Sequence, residues 1–413
     1  MSFKKNRISE IFVAFSIFSL SIIFSGNIIS SMKTSSQKSN TDWPMWRYDL
    51  EHSGNTIAIS PRINQTQWKF NTGGQVGSPL VVNGILYVGS YDHRVYAFRA
   101  NDGIQLWNYT TDGIVVSRPT VAEGLVFVGS EDYNLYALST KTGEKIWKYK
   151  TGYYVDSDPI VSNNVVYVSS VDGSVYALEA QTGVVKWTFA TGDKIMLSSP
   201  VVMEKTVFVG SLDHRLYALN ISNGKPLWEY ATDDKIISSP VVAEGKVYFG
   251  SLDDRIYALN SSSGKTVWNY TTGDDVYSSP TIANGVVYVG SIDGKIYALD
   301  SDSGELVWSY KTGGGVASSP VVADGIVYVG SYDRKVYALN EENGEFIWSF
   351  ATNDIVISRP EVAQGLVCVG SWDGSLYALS ASNGRLMWSH STGSKIDSSP
   401  AIVEGVLYIG SHD

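Results

Sequence analysis

Carboxylates are the most conspicuous reactive groups in this sequence, and nine of them share one setting. Asp92, Asp132, Asp172, Asp213, Asp253, Asp293, Asp333, Asp373 and Asp413 each end a Gly-Ser-x-Asp sequence, with Ser169 in place of Gly in the third copy. A carboxylate can serve as a general base or as a hard ligand for Ca²⁺. A group repeated nine times in the same context cannot form one unique catalytic centre, so these aspartates read as turn residues that accept local backbone N–H groups. Asp156 and Asp158 depart from the pattern, in a segment where most copies carry serine. They offer two oxygen ligands for a cation, too few for a Ca²⁺ site by themselves. The five histidines, His52, His93, His214, His390 and His412, show no metal-binding spacing. The single cysteine, Cys368, excludes an internal disulfide and every cysteine-based metal or haem motif, and reads as a buried strand thiol. No serine with a partnered base stands out from the many repeat serines. The expectation is therefore a protein with no catalytic centre, no cofactor and no metal.

The elements that carry these residues are set by an internal repeat. Trp68, Trp107, Trp147, Trp187, Trp228, Trp268, Trp308, Trp348 and Trp388 recur about every 40 residues, and a proline ladder from Pro79 to Pro400 keeps the same step. In the copy from Ser318 to Thr352, Pro320-Val-Val-Ala predicts a first strand, and Asp324-Gly325 is a dipeptide suited to a two-residue hairpin turn. Ile326 to Val329 is an apolar run expected of a strand buried on both faces. Gly330 to Asp333 turns the chain, Lys335 to Leu339 forms a third strand, and Phe346 to Phe350 a fourth that carries Trp348. Each unit is thus a four-stranded antiparallel meander that cannot cover both of its own faces. Units stacked face to face and closed into a ring meet that need, which predicts an all-β propeller. No unit contains an amphipathic run of helical length, so a helical solenoid is excluded.

Bulk charge narrows the partners. The formal net charge of -10 is opposite to what a nucleic-acid-binding surface requires, since phosphate contacts depend on Lys and Arg. The only basic cluster, Lys4, Lys5 and Arg7, precedes an uncharged stretch from Ile11 to Met32. Residues 1–32 read as an export signal, cleaved or retained as a membrane anchor. Residues 33–42 read as a flexible polar linker and residues 43–413 as the propeller. The expected location is extracellular, at the cell surface or periplasmic. Five Asn-x-Ser/Thr sequons, at Asn64, Asn108, Asn220, Asn260 and Asn269, are compatible with it.

Ala338, Gly344 and Trp348 stand at offsets zero, six and ten, and the same spacing recurs from Ala97-Gly103-Trp107 to Ala378-Gly384-Trp388. This pattern resembles the tryptophan-docking repeat of pyrroloquinoline quinone (PQQ)-type β-propellers. That superfamily includes quinoprotein dehydrogenases and outer-membrane assembly factors of the BamB kind. The resemblance implies that Trp107, Trp147, Trp187, Trp228, Trp268, Trp308, Trp348 and Trp388 dock between neighbouring blades. It also implies that the N-terminal strand with Trp68 closes the ring. For the enzymes of the superfamily it implies PQQ held by stacking, a bound Ca²⁺, a carboxylate base and a vicinal disulfide. One cysteine cannot supply that disulfide, and no Cys-x-x-Cys-His is present for a haem domain. PQQ and Ca²⁺ are therefore not expected.

Eight Tyr-Ala-Leu-type third strands predict an eight-bladed ring. Nine first, second and tryptophan strands leave a nine-bladed ring with a composite last blade as the alternative. Function is expected where the copies differ, in the loops on one face. The candidate partner-binding residues are Tyr91, His93, Glu131, Tyr133, Tyr153, Tyr154, Tyr332, Arg334 and Trp372, with His214, Asp156, Asp158, Lys194 and Tyr277 beside them. Aromatic residues mixed with charge suit a protein or glycan partner at the cell envelope. A monomer is expected, touching membrane only through its N-terminal segment.

Overall fold

A computed structural model describes residues 9–14, 55–56 and 64–413; the linker at 33–42 and most of the leader at 1–32 lie outside the described residues. Among the described residues every regular element is a strand, and the strands form nine antiparallel meanders.

Blade 7 shows how the sequence builds one unit, with strands Val321–Ala323, Ile326–Ser331, Lys335–Asn340 and Phe346–Ala351. Asp324 and Gly325 both take positive φ, 51° and 77°, as a tight turn between right-twisted strands requires. The second and third strands are buried on both faces, while the fourth alternates and turns only Trp348 fully inward. A bulge between Ala338 and Leu339 bends the third strand against the fourth, and the same irregularity recurs in blades 1 to 8.

Neighbouring blades are joined through tryptophan. Trp308 donates its indole N–H to the Glu341 carbonyl of blade 7 at 2.8 Å and lies over Gly344. A Cβ at Gly344, where φ is 70°, would stand 2.5 Å from Trp308 Cδ2. Glycine is needed there for both backbone and space. Trp68, Trp107, Trp147, Trp187, Trp228, Trp268 and Trp348 repeat this indole-to-carbonyl bond, and each lies over a glycine of the following blade. Trp388, 7 % exposed, is buried where blade 8 meets blade 9.

The repeated aspartate is also more than a local turn residue. Asp253 accepts the Tyr257 hydroxyl at 2.6 Å within its own blade and the Asp233 N–H of the segment entering that blade at 3.0 Å. The aspartates from Asp92 to Asp373 therefore each fasten a turn to the joint before it.

The described strands form nine blades, the alternative left by the nine first, second and tryptophan strands, in place of the eight suggested by the third strands. In blade 9 Ala401–Val403 pairs with Val406–Gly410, Val406–Gly410 with Ser9–Ala14, and Ser9–Ala14 in turn with Thr66–Thr72. The count failed because the ninth third strand comes from the N-terminal segment and lacks the Tyr-Ala-Leu sequence. Closure is tight: Ser399 N–H donates to Ser78 Oγ at 3.0 Å, Val76 N–H to the Ser411 carbonyl at 3.0 Å, and the Tyr408 hydroxyl to the Ala100 carbonyl at 3.0 Å. The first strands of successive blades touch one another around the axis and so form the innermost layer. Asn55–Thr56 adds a short parallel strand to the first strand of blade 8, Glu361–Ala363.

Candidate functional site

The inner ends of the first strands are tied by a hydrogen-bond ladder at the residue before each proline. Arg118 N–H donates to Asp158 Oδ1, Asp158 N–H to Ser199 Oγ, and the chain of bonds continues through Ser239 and Ser279 to Ser319 at 2.8 to 3.2 Å. A guanidinium cannot accept a hydrogen bond. At Arg118 the link to the preceding blade is accordingly reversed, with Nη2 donating to the Pro79 carbonyl at 2.9 Å. Asp158, named above as a candidate cation ligand, is an acceptor in this ladder.

Arg118 and Arg359 are buried at this level with Glu361, and Arg359 Nη1 lies 3.9 Å from Glu361 Oε2. Burial pulls the Arg118 guanidinium down to about 10, against the opposing pull of Asp158 and Glu361. Two buried cations are thus balanced by two carboxylates. Cys368 is enclosed in the second strand of blade 8, paired with Glu361. Burial pushes its thiol well above the usual range, with Glu361 adding to the effect.

Turns and blade joints emerge on the same face because they bond to each other. In every blade the variable residue of Gly-Ser-x-Asp donates its N–H to the joint entering that blade: Tyr91 to Gln75, Glu131 to Ile114, Val171 to Tyr154, and so on to His412 with Lys395. The nine variable residues divide the face into two arcs. Blades 3 to 6 present Val171, Leu212, Leu252 and Ile292, whereas blades 7, 8, 9, 1 and 2 present Tyr332, Trp372, His412, Tyr91 and Glu131.

The second arc contains a connected patch. Trp372 donates its indole N–H to Asp397 Oδ1, and His412 Nε2 lies 2.7 Å from Asp397 Oδ2. Lys395 Nζ sits 3.6 Å above the Trp372 ring. Burial, with Glu131, Asp397 and Asp156 nearby, raises the Tyr91 phenol above its ordinary value, so one tyrosine senses carboxylates from three separate segments. Asp156 is pushed up to about 6, chiefly by burial and then by Glu131, and its Oδ1 is enclosed without a hydrogen-bond partner. Beyond it Tyr133, Tyr153 and Tyr154 form a cluster with ring centroids 4.2 to 5.5 Å apart.

Of the nine candidate residues, Tyr91, Glu131 and Trp372 occupy the variable turn position in this arc together with Tyr332, and Tyr133, Tyr153 and Tyr154 adjoin Glu131 at its edge. His93 and Arg334 are exposed turn residues whose carbonyls accept from Thr111 and Thr352. Tyr332 lies toward Tyr277, whose phenol is raised first by burial and then by Asp275 and Tyr332. Lys194 is exposed in the long joint to blade 4, and His214 Nε2 lies 3.8 Å from Asp234 Oδ1. Sequence reasoning missed Asp397, Lys395 and His412. Their only signal was register, since Asp397 occupies the joint position of Asp156.

A family model described as outer membrane protein assembly factor BamB matches residues 52–155, 134–235, 192–314 and 311–413. The fold is similar to the crystal structure of BamB from Moraxella catarrhalis, with 19 % identity, a TM-score of 0.61, and coverage of 82 % of this chain and 96 % of that one. A europium-containing methanol dehydrogenase superposes with 17 % identity and a TM-score of 0.63, over 88 % of this chain and 87 % of its own. The computationally designed Ika8 protein gives 15 % identity and a TM-score of 0.62, over 74 % and 96 %. No curated protein matches the sequence.

Proposed function

The chain belongs to the family described by the BamB assembly-factor model, and from that premise we propose that it is an exported, non-catalytic propeller that binds a protein or glycan at the cell envelope. The observation that carries this reading is the division of one face into two arcs. Scaffold positions such as the docking tryptophans and turn aspartates are nearly uniform around the ring, so the change of the one variable turn residue from aliphatic in blades 3 to 6 to polar or aromatic in blades 7, 8, 9, 1 and 2 is not a requirement of the fold. Tyrosine and tryptophan with flanking carboxylates provide stacking area for sugar rings or an anchor for a protein surface. Residues 1–32 supply export, with or without retention at the membrane.

The test compares the full chain with a variant carrying Tyr91→Ser, Glu131→Gln, Tyr153→Ser and Trp372→Ser. Both are applied to a glycan array and cross-linked in cell-envelope extract. Loss of a saturable partner with an unchanged fold is the expected result. Retained binding, or cross-links mapping to the opposite face around Asn101 and Lys141, overturns the assignment.

A further inference from the structure

Blade 9 differs from the other eight in one strand. In blades 1 to 8 the third strand carries an aliphatic residue, tyrosine, alanine, then leucine or phenylalanine, from Val95-Tyr96-Ala97-Phe98 to Leu376-Tyr377-Ala378-Leu379. The alanine and the residue after it are fully enclosed in all eight. The tyrosine hydroxyl donates to the turn aspartate of its own blade in each, at 2.5 to 2.7 Å.

In blade 9 the backbone register opposes Ile11 to Gly410, Phe12 to Ile409, Val13 to Tyr408 and Ala14 to Leu407. The corresponding pairs in blade 8 are Leu376 with Gly370, Tyr377 with Val369, Ala378 with Cys368 and Leu379 with Val367. Phenylalanine therefore stands where eight copies have tyrosine, valine where eight have alanine, and alanine where eight have leucine or phenylalanine. Phenylalanine has no hydroxyl, and in blade 9 the Ser411 hydroxyl donates to Asp413 Oδ1. In blades 1 to 8 the alanine position and the leucine or phenylalanine position are both fully enclosed, and such positions are sensitive to residue size.

Ring closure does not depend on this strand. The contacts of Ser399 with Ser78, Val76 with Ser411 and Tyr408 with Ala100 join blade 9 to blade 1 directly. Thr66–Thr72 and Val406–Gly410, by contrast, are joined in backbone pairing through Ser9–Ala14, beside a contact between the Trp68 and Tyr408 rings. Without Ser9–Ala14 two strand edges would face each other across a gap one strand wide, each with a row of backbone donors and acceptors.

We propose that the third-strand position of blade 9 is an exchangeable strand slot, held in cis by Ser9–Ala14 and built to accept in trans an extended partner segment of the (Val/Ile/Leu)-Tyr-Ala-Leu type. Backbone pairing with both edges supplies affinity, and the alternating side-chain positions supply selectivity. The tyrosine reaches the Asp413 turn and the small alanine fits the layer over Trp68. Because Ser9–Ala14 lies within the segment assigned to export, a molecule whose leader engages a membrane leaves the slot open. The inference rests on that reading only for the natural trigger, and not for the slot itself.

The test measures binding of a fluorescent peptide spanning Asp373 to Ala381 by anisotropy. The proteins are the full chain and its Val13→Pro variant, in which the cis strand loses a ladder bond. Stronger, saturable binding to Val13→Pro is expected, by about tenfold or more over the full chain. A peptide carrying Tyr377→Phe should bind about tenfold more weakly, and one carrying Ala378→Pro not at all. If Val13→Pro does not fold, Phe12→Tyr serves instead: a better cis strand must lower peptide binding relative to the full chain. Absence of saturable binding to either protein, or equal binding of the Ala378→Pro peptide, overturns the proposal. A concentration-dependent dimer that the peptide does not dissociate also overturns it, and assigns the slot to a second copy. None of these outcomes depends on the polar arc, so failure here and failure of the binding-face assignment are distinguishable.

Discussion

Asp397 holds Trp372 and His412 together: one carboxylate oxygen accepts the indole N–H of blade 8 and the other lies 2.7 Å from the imidazole of blade 9. Trp372 is thus fixed in place and mostly covered. Trp372→Phe and Asp397→Ala should each lower stability by about 1 kcal/mol. Together they should cost measurably less than the sum, since either change already breaks the shared bond. A double-mutant cycle by urea denaturation checks this; strict additivity would mean that the bond contributes nothing.

The buried carboxyl of Asp156 predicts a pH dependence. Its folded-state value of about 6 stands above the ordinary 3.8, so the folded chain retains a proton that the unfolded chain releases. Stability therefore falls as pH rises from about 4 to about 6 and stays lower above that window. Asp156→Asn should remove this loss and raise stability at neutral pH by about 1 to 2 kcal/mol, allowing for solvent screening at a partly exposed site. Thermal unfolding of both proteins at pH 5 and pH 7.5 provides the comparison, and an equal pH response would contradict it.

Gly344 and Trp308 should behave as a coupled pair across a blade boundary. Gly344→Ala introduces a methyl group 2.5 Å from the indole, at a residue with φ of 70°. It should destabilise by about 1 to 3 kcal/mol, and Trp308→Ala by about 3 to 5 kcal/mol. In the double variant the alanine finds space, so the combined loss should be smaller than the sum. Differential scanning calorimetry of the three variants gives the answer.

Cys368 is fully enclosed and its thiol is held above the ordinary range by burial and then by Glu361. The thiolate is the reactive form. Native protein should therefore resist alkylation by iodoacetamide at pH 8 and react completely in denaturant, as followed by mass spectrometry. Rapid modification of the native chain would show that blade 8 opens readily.

The repeat was legible in the sequence because each blade must present the same contacts to the next. Trp308, Gly344 and the turn Asp333 recur at fixed offsets for that physical reason, and they led directly to a propeller. The blade number was not legible in the same way. Ser9–Ala14 completes blade 9 without the Tyr-Ala-Leu sequence and sits inside a stretch that reads as an export leader. At the candidate face, Tyr91, Glu131 and Trp372 stood out as departures at one turn position. Their grouping with Asp397, Lys395 and His412 did not, because it arises where the two ends of the chain meet. Arg118 and Arg359 were equally obscure, since their significance depends on a ladder in which serine or aspartate is the acceptor.

The clasp formed by each turn aspartate has a direction. Asp253 grips the joint that enters its blade, and the indole of Trp228 reaches forward to the Ser261 carbonyl of that same blade. Blades 1 to 8 therefore each receive their orientation from the one before, through a run of one-way fittings. A loop grafted onto one blade should disturb the following blade more than the preceding one. The joints can thus be ranked, before any experiment, by the side on which a change will be felt.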